Sequence, residues 1–398
     1  MSSENTPGMV QVNEALEIIR SVSATQQQAK TIKASEALNH ILAEDLTAVH
    51  DIPRFDNSAM DGYVFRKPDL DEGQRAYPVA FEVRPEDSGT DELPAGMAAR
   101  IMTGSPIPPS ADFVIPVELT EIRDEKVIVL EVPGRNAIRR QGEGYRSGEV
   151  LLNEGSVIRP YETGLIIESG NSQVRVKKPL RISLQVSGAE ISQANNTNGP
   201  VLNGIFNSWP GVRLKEYPVL GDNPEEVKER LLELKGHSDL IVTTGGISAG
   251  KYDFFFDVLT QAGACCLIRK INQKPGKPFT LFQWDDTYVC NLPGNPVSSV
   301  FTAELYVREL AYRLNGLERP ATLRAISLKE LNNPGSKTLF VPGRLFFEHG
   351  MVGVEAQARM RSHLMQLYTG KQVYIRLDPG AEIETGASVE CLKFSSGI

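Results

Sequence analysis

Cysteine and histidine are scarce in this chain, and their placement argues against two common kinds of site. The 398 residues include five histidines and the four cysteines Cys265, Cys266, Cys290 and Cys391. No two cysteines form a C-x-x-C pair, so neither a zinc knuckle nor a redox motif is predicted. The histidines are scattered and form no H-E-x-x-H motif, which argues against zinc or histidine catalysis. All four cysteines lie in apolar runs, where we expect them to pack in the core.

Long apolar runs and a basic surface are also missing. No run approaches the roughly 18 apolar residues of a membrane-spanning helix. The first residues lack a basic start followed by an apolar core, so no secretory signal is predicted and the cytoplasm is the expected location. A net charge of −8 argues against general nucleic-acid binding. The remaining composition predicts a globular protein of about two to four domains.

The most informative stretch runs from residue 240 to residue 300. Its three segments read LIVTTGGISAGKYDF, GACCLIRKINQKPGKPFTLF and TYVCNLPGNPVSSVF. Each has an apolar, β-branched run followed by a loop of Gly, Pro or Ser, and the first and third continue into a helical pattern. This alternation predicts βα units in a parallel sheet, with a ligand site at the carboxyl ends of the strands.

The glycines and cations of this stretch predict binding of an anion. Gly245 and Gly246 allow the backbone to approach a ligand closely, and a helix opening near Tyr252 would present free N–H groups. No acid lies between residues 263 and 284, where the cations are Arg269, Lys270, Lys274 and Lys277. Two glycine loops around a basic, proline-stiffened turn favour a phosphorylated or oxyanionic ligand over a row of solvated lysines.

The rest of the chain predicts further helices and two β-rich regions. Helical spacing covers residues 10–22, 34–46, 160–168, 225–235 and 295–314. Short strand-like runs alternate with turns between residues 77 and 132, which indicates a mostly β module. Strand patterns return after residue 320 and indicate an all-β terminal domain.

Six segments together resemble the MoeA family of molybdopterin molybdenumtransferases, which includes the gephyrin E domain. In chain order they are SAMDGY (58–63), TGSPIP (103–108), IRRQGE (138–143), GGISAG (245–250), PGKP (275–278) and LPGNPVS (292–298). Each motif alone is weak, but six in register along the whole chain are highly specific.

The resemblance implies a four-part fold. An elongated helical domain takes residues 1–47 and 143–178, and a mostly β module of residues 48–142 is inserted in it. A doubly wound, molybdopterin-binding-like α/β domain takes residues 179–318, and a C-terminal β-barrel takes residues 319–398.

The resemblance also implies an activity. Molybdate is inserted into adenylylated molybdopterin and AMP is released, with Mg²⁺ present. The enzyme is a homodimer with each cleft between the α/β domain of one chain and the β module of its partner. Other proteins of molybdenum cofactor biosynthesis are implied as possible partners.

Site residues follow motif by motif. The implied catalytic residues are Asp61, Asp253, Lys270 and Lys274, and the implied metal ligands are Asp61, Asp253 and Glu190. Substrate or phosphate binding is implied for Thr103, Arg139, Gly245, Gly246, Ser248, Lys277, Pro293, Gly294, Asn295 and Ser298. Cations and backbone N–H groups suit a pterin with a nucleotide diphosphate, and isolated carboxylates suit Mg²⁺. Asp61 can instead cap a turn, and Asp253 can simply favour a helix N-terminus.

The chain departs from the family at several acids. Gly144, Ala189 and Lys251 stand where the family has carboxylates, and its D-T-N reads Asn196-Thr197-Asn198. Three hypotheses therefore stay open: a working transferase with a variant metal shell, a weakened paralogue that binds molybdopterin as a carrier or modulator, and a dimeric scaffold. The first is favoured. The retained cations and glycines favour ligand binding over a pure scaffold, and the lost acids keep the second hypothesis open.

Overall fold

The structure is a computed structural model that describes residues 8–24, 28–87, 91–188, 191, 195–221, 223–246, 254–319, 322–348, 350–357 and 364–395. The chain forms two compact units. The first consists of Thr31–Leu38 and Leu42–Arg175, and the second of Met1–Lys30, Asn39–Ile41 and Val176–Ile398. The finer four-part division stays a prediction.

Most of the predicted helices are present. In the described residues the α-helices are α1 Val12–Ser21, α2 Lys67–Asp71, α3 Pro160–Glu168, α4 Asn198–Asn207, α5 Pro224–Lys235, α6 Phe254–Gln261, α7 Pro296–Thr302 and α8 Arg308–Leu314. A π-helical turn, Ala303–Val307, joins α7 to α8, so the three form one continuous closing helix. Proline occupies the first turn of α3, α5 and α7, where its missing N–H costs nothing.

The helix predicted over residues 34–46 is wrong. Only a short 3-10 turn, Ala34–Glu36, forms there. Asn39 has φ 63°, a left-handed conformation that ends any right-handed helix. The segment then enters the strand Leu46–Thr47, which pairs with Val150–Leu152. Apolar spacing indicated a buried stretch correctly, but tertiary pairing decided its conformation.

The first unit contains a six-stranded mixed sheet. Its strands are β1 Gly62–Phe65, β2 Ala76–Val83, β3 Ala98–Ile101, β4 Phe113–Pro116, β5 Thr120–Arg123 and β6 Lys126–Val129. They lie in the order β4-β1-β3-β2-β6-β5. Alternate residues pack on opposite faces, so Tyr63 and Phe65 belong to one apolar cluster and Val64 to another. The predicted β module is confirmed.

The second unit contains a doubly wound α/β sheet. Its strands are β7 Leu180–Ser187, β8 Val212–Leu220, β9 Leu240–Thr244, β10 Cys265–Ile268, β11 Thr280–Trp284 and β12 Thr287–Leu292, in the order β8-β7-β9-β12-β11-β10. Strands β8, β7, β9 and β12 are parallel to one another, and β11 and β10 form an antiparallel edge. Helices α1, α4, α7 and α8 cover one face, and α5 and α6 cover the other. The predicted fold class is confirmed, although residues 263–284 contain the antiparallel pair β10 and β11 rather than a βα unit.

The C-terminal region closes into a five-stranded barrel. Its strands are β13 Leu323–Ser327, β14 Thr338–Glu348, β15 Met351–Ala356, β16 Val373–Leu377 and β17 Ser388–Lys393. Pairing runs β14-β15-β13-β17-β16 and returns from β16 to β14. The predicted all-β terminal region is therefore confirmed, and closure protects its strand edges.

The remaining strands are short. Met9–Val10 pairs with Lys270–Ile271, Asn57–Ser58 with Ile138–Arg139, and Leu331–Asn332 with Glu382–Ile383. Gln273–Lys274 adds to the edge of β14. Two further strands are Ala29–Lys33 and Gln173–Lys177.

Cys265 contradicts the expectation that all four cysteines are buried. It is exposed at the antiparallel edge, and Cys266 is half-buried. Cys290 and Cys391 lie in the core as expected, and burial raises the pKa of Cys391 to about 12. An edge strand leaves one face of the alternating pattern uncovered, which the apolar run did not indicate. In the described residues no helix is long and apolar enough to span a membrane.

The closing helix carries a buried charge network. Glu304 forms a 2.9 Å ion pair with Arg308 and accepts hydrogen bonds from the backbone N–H and the hydroxyl of Ser395. Burial raises the pKa of Glu304, although Arg308 and Ser395 oppose that shift. Next to this pair, Glu309 contacts Arg20 at 2.8 Å and Arg319 at 3.3 Å. These contacts tie the helix to α1 and to the end of the barrel.

We predict that Arg308→Met strongly destabilises the second unit. It leaves the Glu304 carboxyl buried without its cation, which costs about 3–5 kcal/mol. Urea unfolding followed by fluorescence of Trp209, whose indole N–H donates to Ser395 Oγ, measures the loss. The matched control is Lys329→Met, which breaks an ion pair with side chains 54% and 40% exposed and should cost less than about 1 kcal/mol. Equal effects of the two variants would contradict the assignment.

Candidate anion-binding site

Three strand ends lie side by side at the carboxyl edge of the parallel sheet. Strands β7, β9 and β12 end at Ser187, Thr244 and Leu292, and their register places these ends side by side. From β7 the chain leads to β8 on one side and then to β9 on the other. This reversal of strand order opens a crevice, which is where doubly wound folds bind ligands.

Residues 270–279, here called the lysine turn, lead into the sheet at the same edge. Thr280 begins β11 opposite Asn291, near the carboxyl end of β12. The preceding turn is closed by hydrogen bonds from Phe279 N to Gly276 O at 3.3 Å and from Ile271 N to Lys277 O at 3.0 Å. Sheet register therefore brings the glycine loops and the lysine turn to one edge.

The cations of this turn are available for a ligand. Lys274 and Lys277 are exposed and Lys270 is half-buried. In the described part of the chain none of the three has a carboxylate partner within ion-pair distance. Arg269 differs, because its guanidinium lies 4.2 Å from the centre of the Phe256 ring and packs there.

Gly245 and Gly246 occupy positions that other residues would fill badly. Their φ values are 87° and 62°, in the left-handed region. A Cβ on Gly245 would lie 2.2 Å from Ser187 O, and one on Gly246 would lie 2.6 Å from Phe254 Cζ. Gly245 N donates to Leu292 O at 3.3 Å. Gly246 N–H has no acceptor among the described groups. Of the two glycine N–H groups, it is therefore the one available to a ligand.

Several polar groups of the Pro293–Ser298 segment already have hydrogen-bond partners within the protein. Asn295 Oδ1 caps α7 by accepting from Val297 N at 3.1 Å and Ser298 N at 3.3 Å. Gly294 is exposed, but its carbonyl accepts from Asn198 Nδ2 at 2.9 Å. Pro293 is buried. The Asn295 side chain thus has a structural role, and phosphate binding by this segment stays a prediction.

Asn198 stood out in the sequence only as part of a changed motif. It is 5% exposed, begins α4, and its Oδ1 has no partner among the described residues. Its amide also lies 3.4 Å from Thr244 Oγ1. An asparagine in the first turn of a helix that follows a strand-end loop was the available signal. Its unpartnered oxygen points to a donor that the described residues do not supply.

In the first unit, Asp61 and Thr103 form one structural pair. They flank β1 and β3, whose antiparallel register sets Gly62 opposite Ile101. Asp61 Oδ1 accepts from Thr103 N at 2.7 Å and from Thr103 Oγ1 at 2.8 Å. The backbone hydrogen bond, followed by the hydroxyl, lowers the pKa of Asp61 below its ordinary value. Asp61 thus has a structural role that links two segments 42 positions apart, rather than capping its own Asp-Gly turn, while Oδ2 has no hydrogen-bond partner in the described residues.

Arg139 and Arg140 have different surroundings. Arg140 Nη1 pairs with Asp56 Oδ2 at 2.5 Å. Burial disfavours the Asp56 anion, but hydrogen bonds from Gln141 N and Arg140 outweigh it and lower its pKa. Arg139 is exposed and lines a pocket of about 490 Å³ together with Phe55, Asn57, Glu143 and Gly144. The choice of Arg139 as the ligand-binding arginine stays a prediction.

Several expected site residues lie outside the described part of the chain. They are Ala189, Glu190, Ser248, Lys251 and Asp253. Within the described ranges, no three His, Cys, Asp or Glu side chains gather as a metal site would require. The structure thus brings together the glycines and lysines in one unit, and Asp61 with Thr103 in the other.

Comparison with known proteins covers nearly the whole chain. Residues 10–170 match the MoeA N-terminal region (domain I and II), and residues 183–312 match a probable molybdopterin binding domain. A protein of Haemophilus influenzae named molybdopterin molybdenumtransferase is 30% identical over 368 residues, covering 88% of this chain and 90% of that protein. One of the same name from Staphylococcus epidermidis is 29% identical over 350 residues and covers 82% of both chains.

A solved structure agrees on the fold. The molybdopterin biosynthesis MoeA protein of Pyrococcus horikoshii superposes with a TM-score of 0.77 at 23% identity, covering 97% of this chain and all of that one. At that identity the likeness shows the fold alone. The sequence relationship goes further, and by it this chain belongs to the MoeA family of molybdopterin molybdenumtransferases.

Proposed function

We propose that this protein acts in molybdenum cofactor biosynthesis by inserting molybdate into adenylylated molybdopterin with release of AMP. The observation that carries the proposal is the turn of residues 273–279 at the carboxyl edge of a doubly wound sheet. It holds two exposed lysines that have no carboxylate partner within the described ranges. We further propose that it works in the cytoplasm as a homodimer whose partner chain supplies Asp61, Thr103 and Arg139 to each cleft.

The cations suit this substrate on charge. A pterin joined to AMP through a pyrophosphate has several negative charges, and molybdate adds two more. Lys270, Lys274 and Lys277 can neutralise them, and Arg139 offers a planar fork for a phosphate. Fixed cations in a crevice stabilise charge that develops as the phosphoanhydride breaks, because they need no reorganisation.

Asp61 has the chemistry of a Mg²⁺ ligand. Mg²⁺ takes one or two carboxylates and completes its shell with phosphate oxygens and water. Thr103 keeps Asp61 ionised and oriented, and Oδ2 stays available. We propose that Asp61, with Asp253 and Glu190, would hold Mg²⁺, which supplies charge neutralisation at the pyrophosphate when bound.

The proposal is tested by incubating the protein with adenylylated molybdopterin, molybdate and Mg²⁺ and following AMP. Catalytic release of AMP supports the transferase. Tight binding of the substrate without AMP would instead indicate a carrier or modulator, and absence of any binding would indicate a scaffold.

Removing the lysines should abolish most of this activity. For Lys274→Ala and Lys277→Ala we expect kcat/KM for adenylylated molybdopterin to fall about 100-fold each, since each loses a fixed cation in the crevice. Lys228→Ala on the exposed face of α5 is the control for charge and should change kcat/KM less than about twofold. A loss no greater than in the control would exclude the two lysines from the site.

Thr103→Val should shift the pH dependence of the reaction. The variant loses the hydroxyl donor to Asp61 but keeps the backbone N–H, so the pKa of Asp61 rises part of the way to its ordinary value. Because the ionised form is required, the acidic limb of kcat/KM moves to higher pH. Thr120→Val, which removes a hydroxyl bonded to Val117 O in the same unit, is the control. An unmoved acidic limb in Thr103→Val would argue against Asp61 as an essential anion.

Restoring the family's acids should strengthen the dependence on Mg²⁺. Lys251→Asp with Ala189→Asp replaces a cation and a methyl group by two carboxylates, so we expect half-maximal activity at lower Mg²⁺. Gly144→Asp is better added afterwards, because a Cβ there would lie 3.0 Å from Ile52 O and strain the loop. An unchanged Mg²⁺ titration in the double variant would refute the metal role of these positions.

A further inference from the structure

A buried tyrosine lies directly behind the lysine turn. Tyr306 belongs to the π-helical turn of the closing helix and is 0% exposed. Its ring stacks on Phe279 with a centroid distance of 5.0 Å. Its hydroxyl hydrogen-bonds to Oε1 of Gln273, which is 1% exposed. An isolated π turn inside an α-helix often marks a functional position.

The direction of these hydrogen bonds follows from chemistry. Gln273 Nε2 donates to Gly276 O at 3.2 Å, and that carbonyl can only accept. The amide nitrogen of Gln273 therefore faces Gly276, and its oxygen faces Tyr306. Consequently the tyrosine hydroxyl must donate, which requires its protonated form. Burial raises the pKa of Tyr306 and keeps that form.

Gly276 is pressed against the closing helix. Its φ is 82°, and a Cβ there would lie 2.5 Å from Thr302 Cγ2. Its carbonyl accepts both Gln273 Nε2 and Phe279 N. Lys274 and Lys277 lie on the two sides of this anchored segment. The two hydrogen bonds that link Tyr306 to Gln273 and Gln273 to Gly276, here called the relay, thus hold the backbone between the two cations.

We propose that Tyr306 is a positioning residue that, through Gln273, fixes Lys274 and Lys277 for the anionic part of the substrate. The inference rests on the proposed function, in which these lysines bind the pyrophosphate or molybdate. Catalytic groups lose much of their effect when displaced by about 1 Å. Groups that hold these cations in place therefore contribute to substrate binding through them.

The test variant is Tyr306→Phe, which keeps the ring and leaves Gln273 Oε1 without its donor. We expect KM for adenylylated molybdopterin to rise about tenfold while kcat changes less than about threefold. Independently of activity, hydrogen exchange of the Phe279 and Ile271 amides, which close the turn, should speed up about fivefold. Gln273→Met, which removes the relay and retains Tyr306, should produce the same changes.

The matched control is Tyr77→Phe in the other unit. Tyr77 is also fully buried, and its hydroxyl donates to Asp69 O and Gln74 O. It should lower thermal stability to a similar extent without changing KM or the exchange of the turn. In a double-mutant cycle, Tyr306→Phe with Gln273→Met should raise KM no more than either change alone.

Two results would overturn the inference. One is a Tyr306→Phe variant that melts at lower temperature yet keeps wild-type KM and wild-type exchange at Phe279 and Ile271. The other is additive effects in the cycle. If the unmodified protein releases no AMP, the proposed function fails, and the exchange rates alone then decide whether Tyr306 holds the turn.

Discussion

The burial of the closing helix on every side from Ser299 to Ala311 is the constraint on which the second unit depends. One face of α7 and α8 packs on the sheet and α1, and the other meets the barrel through Phe301, Phe340 and Tyr374. A helix with no solvent face cannot leave a charge unpaired. Glu304 and Arg308 therefore pair with each other and with Ser395 near the end of the chain. The sheet and the barrel consequently share one continuous core.

The same helix organises the site. Its first turn follows the Pro293–Asn295 loop, and its π turn carries Tyr306 toward the lysine turn. On the amino side of that turn, Asn272 N donates to Val10 O and Thr338 N donates to Asn272 O. The turn is therefore held by the helix, the N-terminal strand and the barrel at once. In the proposed function, such support lowers the entropy that Lys274 and Lys277 lose on binding the substrate.

The charge at one sheet edge is opposite in sign to the net charge of the protein. A chain with net charge −8 has, within the residues that the structure describes, cations without carboxylate partners at one sheet edge. The family resemblance predicts acids at positions 189 and 251, where this chain has Ala and Lys. Each replacement raises the net charge of the chain, and in the proposed site it would favour anions over a divalent cation. Asp61 is retained, and Thr103 keeps it ionised. The Gly144 position has little room for a larger side chain, since the loop backbone packs close to Ile52 O.

The sequence by itself determined the fold class and most helices, and it predicted the glycine and lysine segments of the candidate site, because these depend on local periodicity, glycine and proline placement and motif order. It indicated the lysine turn correctly for the same reason. It did not determine the left-handed Asn39, the exposed Cys265, the helix-capping role of Asn295 or the relay from Tyr306 to Gly276. Those features depend on partners far apart in the chain, such as Gln273 and Tyr306. A hydrogen bond between two side chains requires both ends to be placed, and only the tertiary structure brings such residues within bonding distance.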